Sequence, residues 1–111
     1  MIEKIVQDYL SNHLTVPVKM EIPKEKTQRF VVIEKAGSRR ENCITSSTIA
    51  IQSYGGTLLE AAELNEEVKA VMDGIIDLPE ISWVELNTDY NYTDTAQKRY
   101  RYQAVYDLVH Y

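Results

Sequence analysis

The stretch Thr48–Met72, TIAIQSYGGTLLEAAELNEEVKAVM, changes its hydrophobic period part-way along. Its first residues complete the run Ile44 to Ser53 (ITSSTIAIQS), rich in Thr, Ser and Ile, which predicts a strand. Tyr54, Gly55 and Gly56 break that pattern. Thr57 is placed to cap a helix, and Glu60 three residues on completes a T-x-x-E capping box. From there to about Ile75, Ala61, Leu64, Val68, Val71, Met72 and Ile75 recur at helical spacing and form one apolar stripe. A strand that turns through Gly-Gly into an amphipathic helix is the centre of the fold.

Toward the N-terminus, Arg29 to Lys35 (RFVVIEK) is β-branched and predicts a strand. The polar run Ala36 to Asn42 (AGSRREN) predicts a projecting hairpin loop between it and Ile44. Val16, Val18, Met20 and Ile22 alternate with polar residues and predict an earlier strand. Pro17 lacks a ladder donor, which places that strand at an edge or leaves it paired on one side only there, and Pro23 ends it before the polar connection Lys24 to Lys26. Ile2, Ile5, Val6, Tyr9 and Leu10 form a helical stripe that ends near His13. Toward the C-terminus, Leu78 and Pro79 close the central helix unit. Ile81 to Thr88 (ISWVELNT) predicts a fourth strand, Asp89 to Gln97 a polar loop, and Lys98 to Tyr111 a fifth strand. The order is α-β-β-β-α-β-β over residues 1–111: one α+β domain with two helices on a mostly antiparallel or mixed sheet.

Strand alternation assigns faces. Val31 and Ile33 oppose Phe30 and Val32, and Tyr102, Ala104, Tyr106 and Leu108 oppose Gln103, Val105 and Asp107. On strand four the same rule pairs Ile81 with Trp83, against Val84 with Leu86. Both sheet faces are therefore partly apolar. Either one helix covers each face, or one face meets another subunit, and the second reading leads to a homo-oligomer.

Composition narrows the function. Lys and Arg number 12 and Asp and Glu 17, a net charge of −5, which disfavours non-specific nucleic-acid binding. The charge is local: Leu58 to Glu80 holds seven acids against Lys69 alone, and the rest of the chain is nearly neutral. The single Cys43 excludes an internal disulfide and a cysteine zinc cage. No apolar run reaches the ~20 residues of a membrane-spanning helix, and MIEKIVQDYL reads as amphipathic helix rather than secretory signal, so a soluble intracellular domain is expected.

No catalytic, cofactor or metal constellation stands out. His13 suits a helix C-terminus, and the penultimate His110 reads as a surface or capping residue. Cys43 reads as a small half-buried hydrophobe, although Arg39 and Arg40 are near in sequence. Gly55-Gly56 lacks every phosphate-loop signature and reads as a turn. Asp89, Asn91, Thr93 and Asp94 fail the EF-hand pattern and read as a solvated loop. Glu60, Glu63, Glu66 and Glu67 form an acidic helix surface, either simply solvated or turned toward a basic partner or an opening. Lys98, Arg99 and Arg101 mix with Tyr100 and Tyr102, but alternation puts the two types on opposite faces, which favours cross-strand packing or a protein interface.

The central run carries a strand, a small turn and then E-A-x-x-L-x-x-x-V-x-x-x-M, from Glu60 to Met72. The C-terminal RYRYQAVYDLVHY carries R-Y-Q-x-x-x-x-L, from Arg101 to Leu108. With the order of elements, these resemble the tail-terminator and tail-completion (head–tail joining) proteins of long-tailed phages, the family of the phage lambda tail terminator. The resemblance implies a structural protein without an active site or cofactor. Its subunits form a ring, hexameric in that family, at the head-proximal end of the tail tube. The ring ends tube polymerisation and joins tail to head. The implied partners are other copies of the chain, the tail tube protein and a head-completion or connector protein; DNA passes through without specific binding. The implied location is the virion tail, and the host cytoplasm during assembly. By position, Arg39 and Arg40 would touch the tube or a neighbour, and Tyr90 and Tyr92 the adjacent subunit. Trp83 and Phe30 are further interface candidates, and the acidic helix surface is a candidate lumen lining. The competing reading is a small acidic, non-enzymatic binding adaptor that forms no ring.

Overall fold

A computed structural model describes residues 1–24 and 29–111. Most of the expected connection Lys24 to Lys26 thus lies outside the described residues. The elements are α1 (Ile2–His13), β1 (Val18–Lys19), β2 (Phe30–Glu41), β3 (Ile44–Gly55), α2 (Leu58–Met72), a short 3-10 turn (Ile75–Asp77), β4 (Ile81–Asn91) and β5 (Tyr100–His110). This is the expected α-β-β-β-α-β-β order in one α+β domain.

The strands form one mixed sheet in the order β1-β2-β3-β5-β4. Only β1 with β2 is parallel; the remaining pairs are antiparallel. After α2 the chain lays β4 at the far edge and returns through β5 to fill the space beside β3, a split β-α-β arrangement. The edges differ from regular strands, and beyond Val32 the outer edge of β2 has no partner strand among the described residues. β1 is two residues long beside Pro17, and β4 carries two bulges.

Both helices lie on one face. Ile2, Val6 and Leu10 of α1 share a core with Leu64, Val68 and Met72 of α2, over Val31, Ile33, Ile49, Ile51, Tyr106 and Leu108 of the sheet. The question left by alternation is thus answered for the single chain: the second face carries no helix. A small cluster of Phe30, Val32 and Tyr54 sits there instead.

The α2 start keeps the Thr57 half of the expected capping box, while the Glu60 side chain reaches one residue further back, to Gly56. Glu60 N–H donates to Thr57 Oγ1 at 3.1 Å, and Gly56 N–H donates to Glu60 Oε2 at 2.9 Å. Gly55 is needed for close approach, because a Cβ there would lie 2.5 Å from the Ala61 nitrogen.

Several boundaries differ from the sequence reading. β1 covers only Val18–Lys19 of the expected Val16–Ile22, with Met20 and Ile22 exposed. Next to Pro17 its link to β2 reduces to Val31 N–H donating to the Pro17 carbonyl at 2.9 Å. The expected loop Ala36 to Asn42 is mostly strand: β2 shifts register between Lys35 and Gly37 and pairs on to Glu41 opposite Ile44. Backbone pairing does not need apolar side chains, so a polar composition concealed it. The turn is only Asn42–Cys43, with φ of 51° and 66°. The helix ends at Met72, and Ile75 belongs to the 3-10 turn. β4 continues to Asn91, through residues read as loop. Its register shifts between Ile81 and Trp83 and between Leu86 and Thr88. The first shift corrects the face assignment: Ile81 joins Val84 on the helix side, while Trp83 pairs with Val109 on the other.

Candidate functional site

The outer half of β2 runs along the sheet edge away from the shared core, beside a β3 that β5 flanks as far as the Thr45–His110 pair. From Glu34 to Glu41 every residue of β2 is exposed. The molecule measures 44 × 26 × 23 Å, and a 12-residue strand of about 40 Å accounts for the long axis. Arg39 pairs with Ser46 and Arg40 with Thr45, so on the extended strand the two guanidinium groups point to opposite sides. They occupy the edge strand of the sheet near its β2–β3 turn rather than the loop expected. Cys43 sits at its turn, exposed rather than half-buried.

The helix-free face is an ordered ladder across four strands. Phe30 is opposite Tyr54, and Tyr54 is opposite Arg101. The Phe30 and Tyr54 rings stack with centroids 4.4 Å apart. Arg101 lies 5.7 Å from the Tyr54 ring centre and 4.4 Å from that of Tyr92. Arg101 Nη1 donates to Tyr54 Oη at 2.9 Å and its Nε to the Tyr92 carbonyl at 2.6 Å. In the next row Tyr54 Oη donates to Gln52 Oε1 at 3.3 Å, Gln52 Nε2 to Gln103 Oε1 at 2.9 Å, and Gln103 Nε2 to Tyr90 Oη. Tyr90 and Tyr92 meet edge-to-face at 5.8 Å. Of the predicted interface residues, the face thus gathers Phe30, Tyr90 and Tyr92, with Phe30 buried, like Tyr54 on which it stacks, at 4% exposed. Further along the same face Thr48 Oγ1 donates to Asp107 at 2.8 Å and Asn87 Nδ2 at 2.9 Å. Trp83 is 46% exposed and lines, with Arg39 and Val109, a shallow depression of about 490 Å³.

The acidic surface of α2 is less uniform than its sequence. Glu60 is used in the cap. Glu66 meets Lys69 at 3.0 Å and Glu67 meets Arg29 at 3.8 Å, leaving Glu63 as the exposed member with no ion pair among the described residues. Lys69 also donates to Asp89 at 3.0 Å, and Asn65 Nδ2 donates to the same oxygen at 2.9 Å. These bonds hold the Asp89 carboxyl below its ordinary value and, with Glu66, hold Lys69 above its own. Asp89 is therefore a clasp between β4 and α2, not part of a solvated loop. The loop beyond it is tied to itself: Asn91 Oδ1 accepts from Thr93, and Asp94 Oδ1 from Ala96 N–H and Gln97 N–H.

A second depression, of about 730 Å³, lies between α1 and the 3-10 turn. Ile5, Tyr9 and Leu78 supply its apolar surface, and Asp8, Asp77 and Glu80 its charge. Tyr9 Oη donates to the Val71 carbonyl at 2.8 Å, in space that a side chain at Gly74 would take. Burial, with Asp77 nearby, raises the Tyr9 hydroxyl above its ordinary value. His13 Nδ1 donates to the Tyr9 carbonyl at 2.8 Å, the capping role expected of it. His110 differs from expectation. It is buried and shares a 2.8 Å hydrogen bond with Ser47, because β5 is flanked by β3 and β4 to its last residue.

No protein-family model matches the chain, and no curated protein matches it either. Among the described residues no group of three or more His, Cys, Asp or Glu is arranged to hold a metal ion, and no helix is long and apolar enough to cross a membrane.

The sequence reading missed Arg101 as the centre of the ladder and the Gln52–Gln103 pair beside it. Arg101 and Gln103 were already on the face opposite Ala104 and Leu108 by alternation, so the parity signal existed. Their cross-strand partners depended on a register that no local pattern specifies.

Proposed function

We propose that this chain is a structural subunit of a long-tailed phage or prophage virion, of the tail-terminator type. Copies of it form a ring, by resemblance a hexamer, at the head-proximal end of the tail tube, end tube polymerisation and join the tail to a head-completion or connector protein. The observation that carries the reading is the two-sided architecture. Both helices pack on one sheet face, while the other face is left to a prepaid polar and aromatic ladder, with a half-exposed Trp83 and an exposed β2–β3 tip. Such a face needs no cover to keep its polar groups satisfied and offers Tyr, Trp and Arg, the side chains that dominate protein interfaces. The strand–turn–helix and R-Y-Q-x-x-x-x-L patterns support the family assignment. The acidic α2 surface around Glu63 suits a lumen through which DNA slides without adsorbing, since like charge opposes binding. Assembly takes place in the host cytoplasm and the product is part of the virion tail.

Deleting the gene from its phage or prophage tests this. The expected lysate, viewed by electron microscopy, contains filled heads separate from tails whose tubes run past the normal length. Normal virions would overturn the reading and favour an acidic adaptor that forms no ring.

A further inference from the structure

The β2–β3 tip, with Arg39 and Arg40 against one exposed Glu41, and the groove between α1 and the 3-10 turn, with three carboxylates, have complementary charge. At the tip, Arg39 and Arg40 are exposed on opposite sides, and Ile44 beside the turn is 45% exposed. The register holds out to the Glu41–Ile44 pair, so the tip is ordered before it meets anything. The groove has Ile5, Tyr9 and Leu78 for an apolar surface, Asp8 on its α1 wall, and Asp77 and Glu80 on the other wall. Asp77 and Glu80 make no ion pair among the described residues, and Asp8 has only the exposed i,i+4 partner Lys4 at 3.0 Å. The tip arginines likewise make none there, so the two surfaces do not satisfy each other within one chain. The α2 surface is a poorer acceptor, because Glu66 and Glu67 already face Lys69 and Arg29.

We propose that the groove receives the β2–β3 tip of a second copy of this chain, with Arg39 and Arg40 meeting the two acidic walls and Ile44 resting on the apolar surface. The proposal deepens the ring reading and rests on it, since it names the contact that links one subunit to the next. Donor and acceptor are different patches, so the contact can repeat head-to-tail, the kind that closes into a ring when the rotation allows, whereas a reciprocal exchange of tips would stop at a dimer in sedimentation. Arginine suits it because a guanidinium meets a carboxylate with two parallel hydrogen bonds. An ordered hairpin also loses little conformational freedom on docking.

Cys43, the sole cysteine, provides a direct test because its thiol is exposed at the tip. The unmutated chain is labelled there with benzophenone maleimide and irradiated, both alone and on tail-tube ends. Attachments between chains are then mapped by mass spectrometry. They are expected within residues 5–13 and 74–80. Attachments confined to α2 or to the helix-free sheet face overturn the proposal, as does the lack of any attachment in both settings. In a second arm, Arg39→Glu with Arg40→Glu, and separately Asp77→Lys with Glu80→Lys, each weaken self-association at least tenfold in sedimentation, with unchanged circular dichroism. Mixing the two variants restores it, because an acidic tip then meets a basic groove. Folded variants that associate as the parent does, or fail to recover on mixing, overturn the proposal. Failure of the contact is separable from failure of the ring reading: the first moves or abolishes the attachments, the second leaves virions normal when the gene is deleted.

Discussion

Tyr106 lies in the main core, 3% exposed, with its ring on the helix side of β5. Burial, reinforced by Asp73, pushes its hydroxyl up to about 12 from an ordinary 10.0. The folded chain therefore keeps this proton at pH values where the unfolded chain has released it. Stability is intact below pH 10 and declines as pH rises through 12, by on the order of 2–3 kcal/mol from this group. Tyr106→Phe should flatten that alkaline decline in urea melts at several pH values; an unchanged slope would show that other groups cause it. Burial of Tyr106 was legible from alternation with Ala104 and Leu108. The opposite aim of Arg39 and Arg40 was not, because a run of Gly, Ser and charged residues reads as a loop until its partner strand is known. His110 was misread for a similar reason: proximity to a chain end suggests exposure, but pairing on both sides of β5 buries it.

Among the elements, α2 is the most legible, because its cap and stripe are local. Its attachment to β4 is not. The Asp89 carboxylate accepts from both Lys69 and Asn65, and Asn65 is buried, with no hydrogen-bond partner for its Oδ1 among the described residues. Asp89→Ala strands the Asn65 amide as well and should cost about 2 kcal/mol at neutral pH, read from chemical denaturation. A loss under about 0.5 kcal/mol would show that the amide finds water instead. Asp89 sits below its ordinary 3.8, so its contribution is present above that value and is lost as pH falls through the folded value. The parent and the variant should therefore converge in strong acid. The clasp depends on the register shift between Leu86 and Thr88, which puts Asp89 opposite Ala104 on the helix side. Strict alternation through β4 cannot foresee a bulge, and the error on Ile81 and Trp83 has the same origin.

For the whole molecule, the decisive fact is that one sheet face carries both helices and the other carries neither. Trp83, the only tryptophan, stands half exposed beside the helix-free face and reports on any cover. If copies associate as proposed, its fluorescence shifts to shorter wavelength as the chain is concentrated, while an Arg39→Glu, Arg40→Glu variant keeps the solvent-like emission. Emission that stays constant as light scattering rises would place Trp83 outside the subunit contact. The sequence by itself determined the α+β class, the order of elements, the α2 cap, the edge position of β1 and the local concentration of acid between Leu58 and Glu80. These depend on side-chain period, proline chemistry and charges within a few residues of one another. Tertiary structure alone decided the strand order, the three register shifts, the shared face of the helices, the Arg101 ladder and the α1 groove. Each of these depends on which distant backbone a strand meets, and a one-residue change of register reverses every side chain that follows.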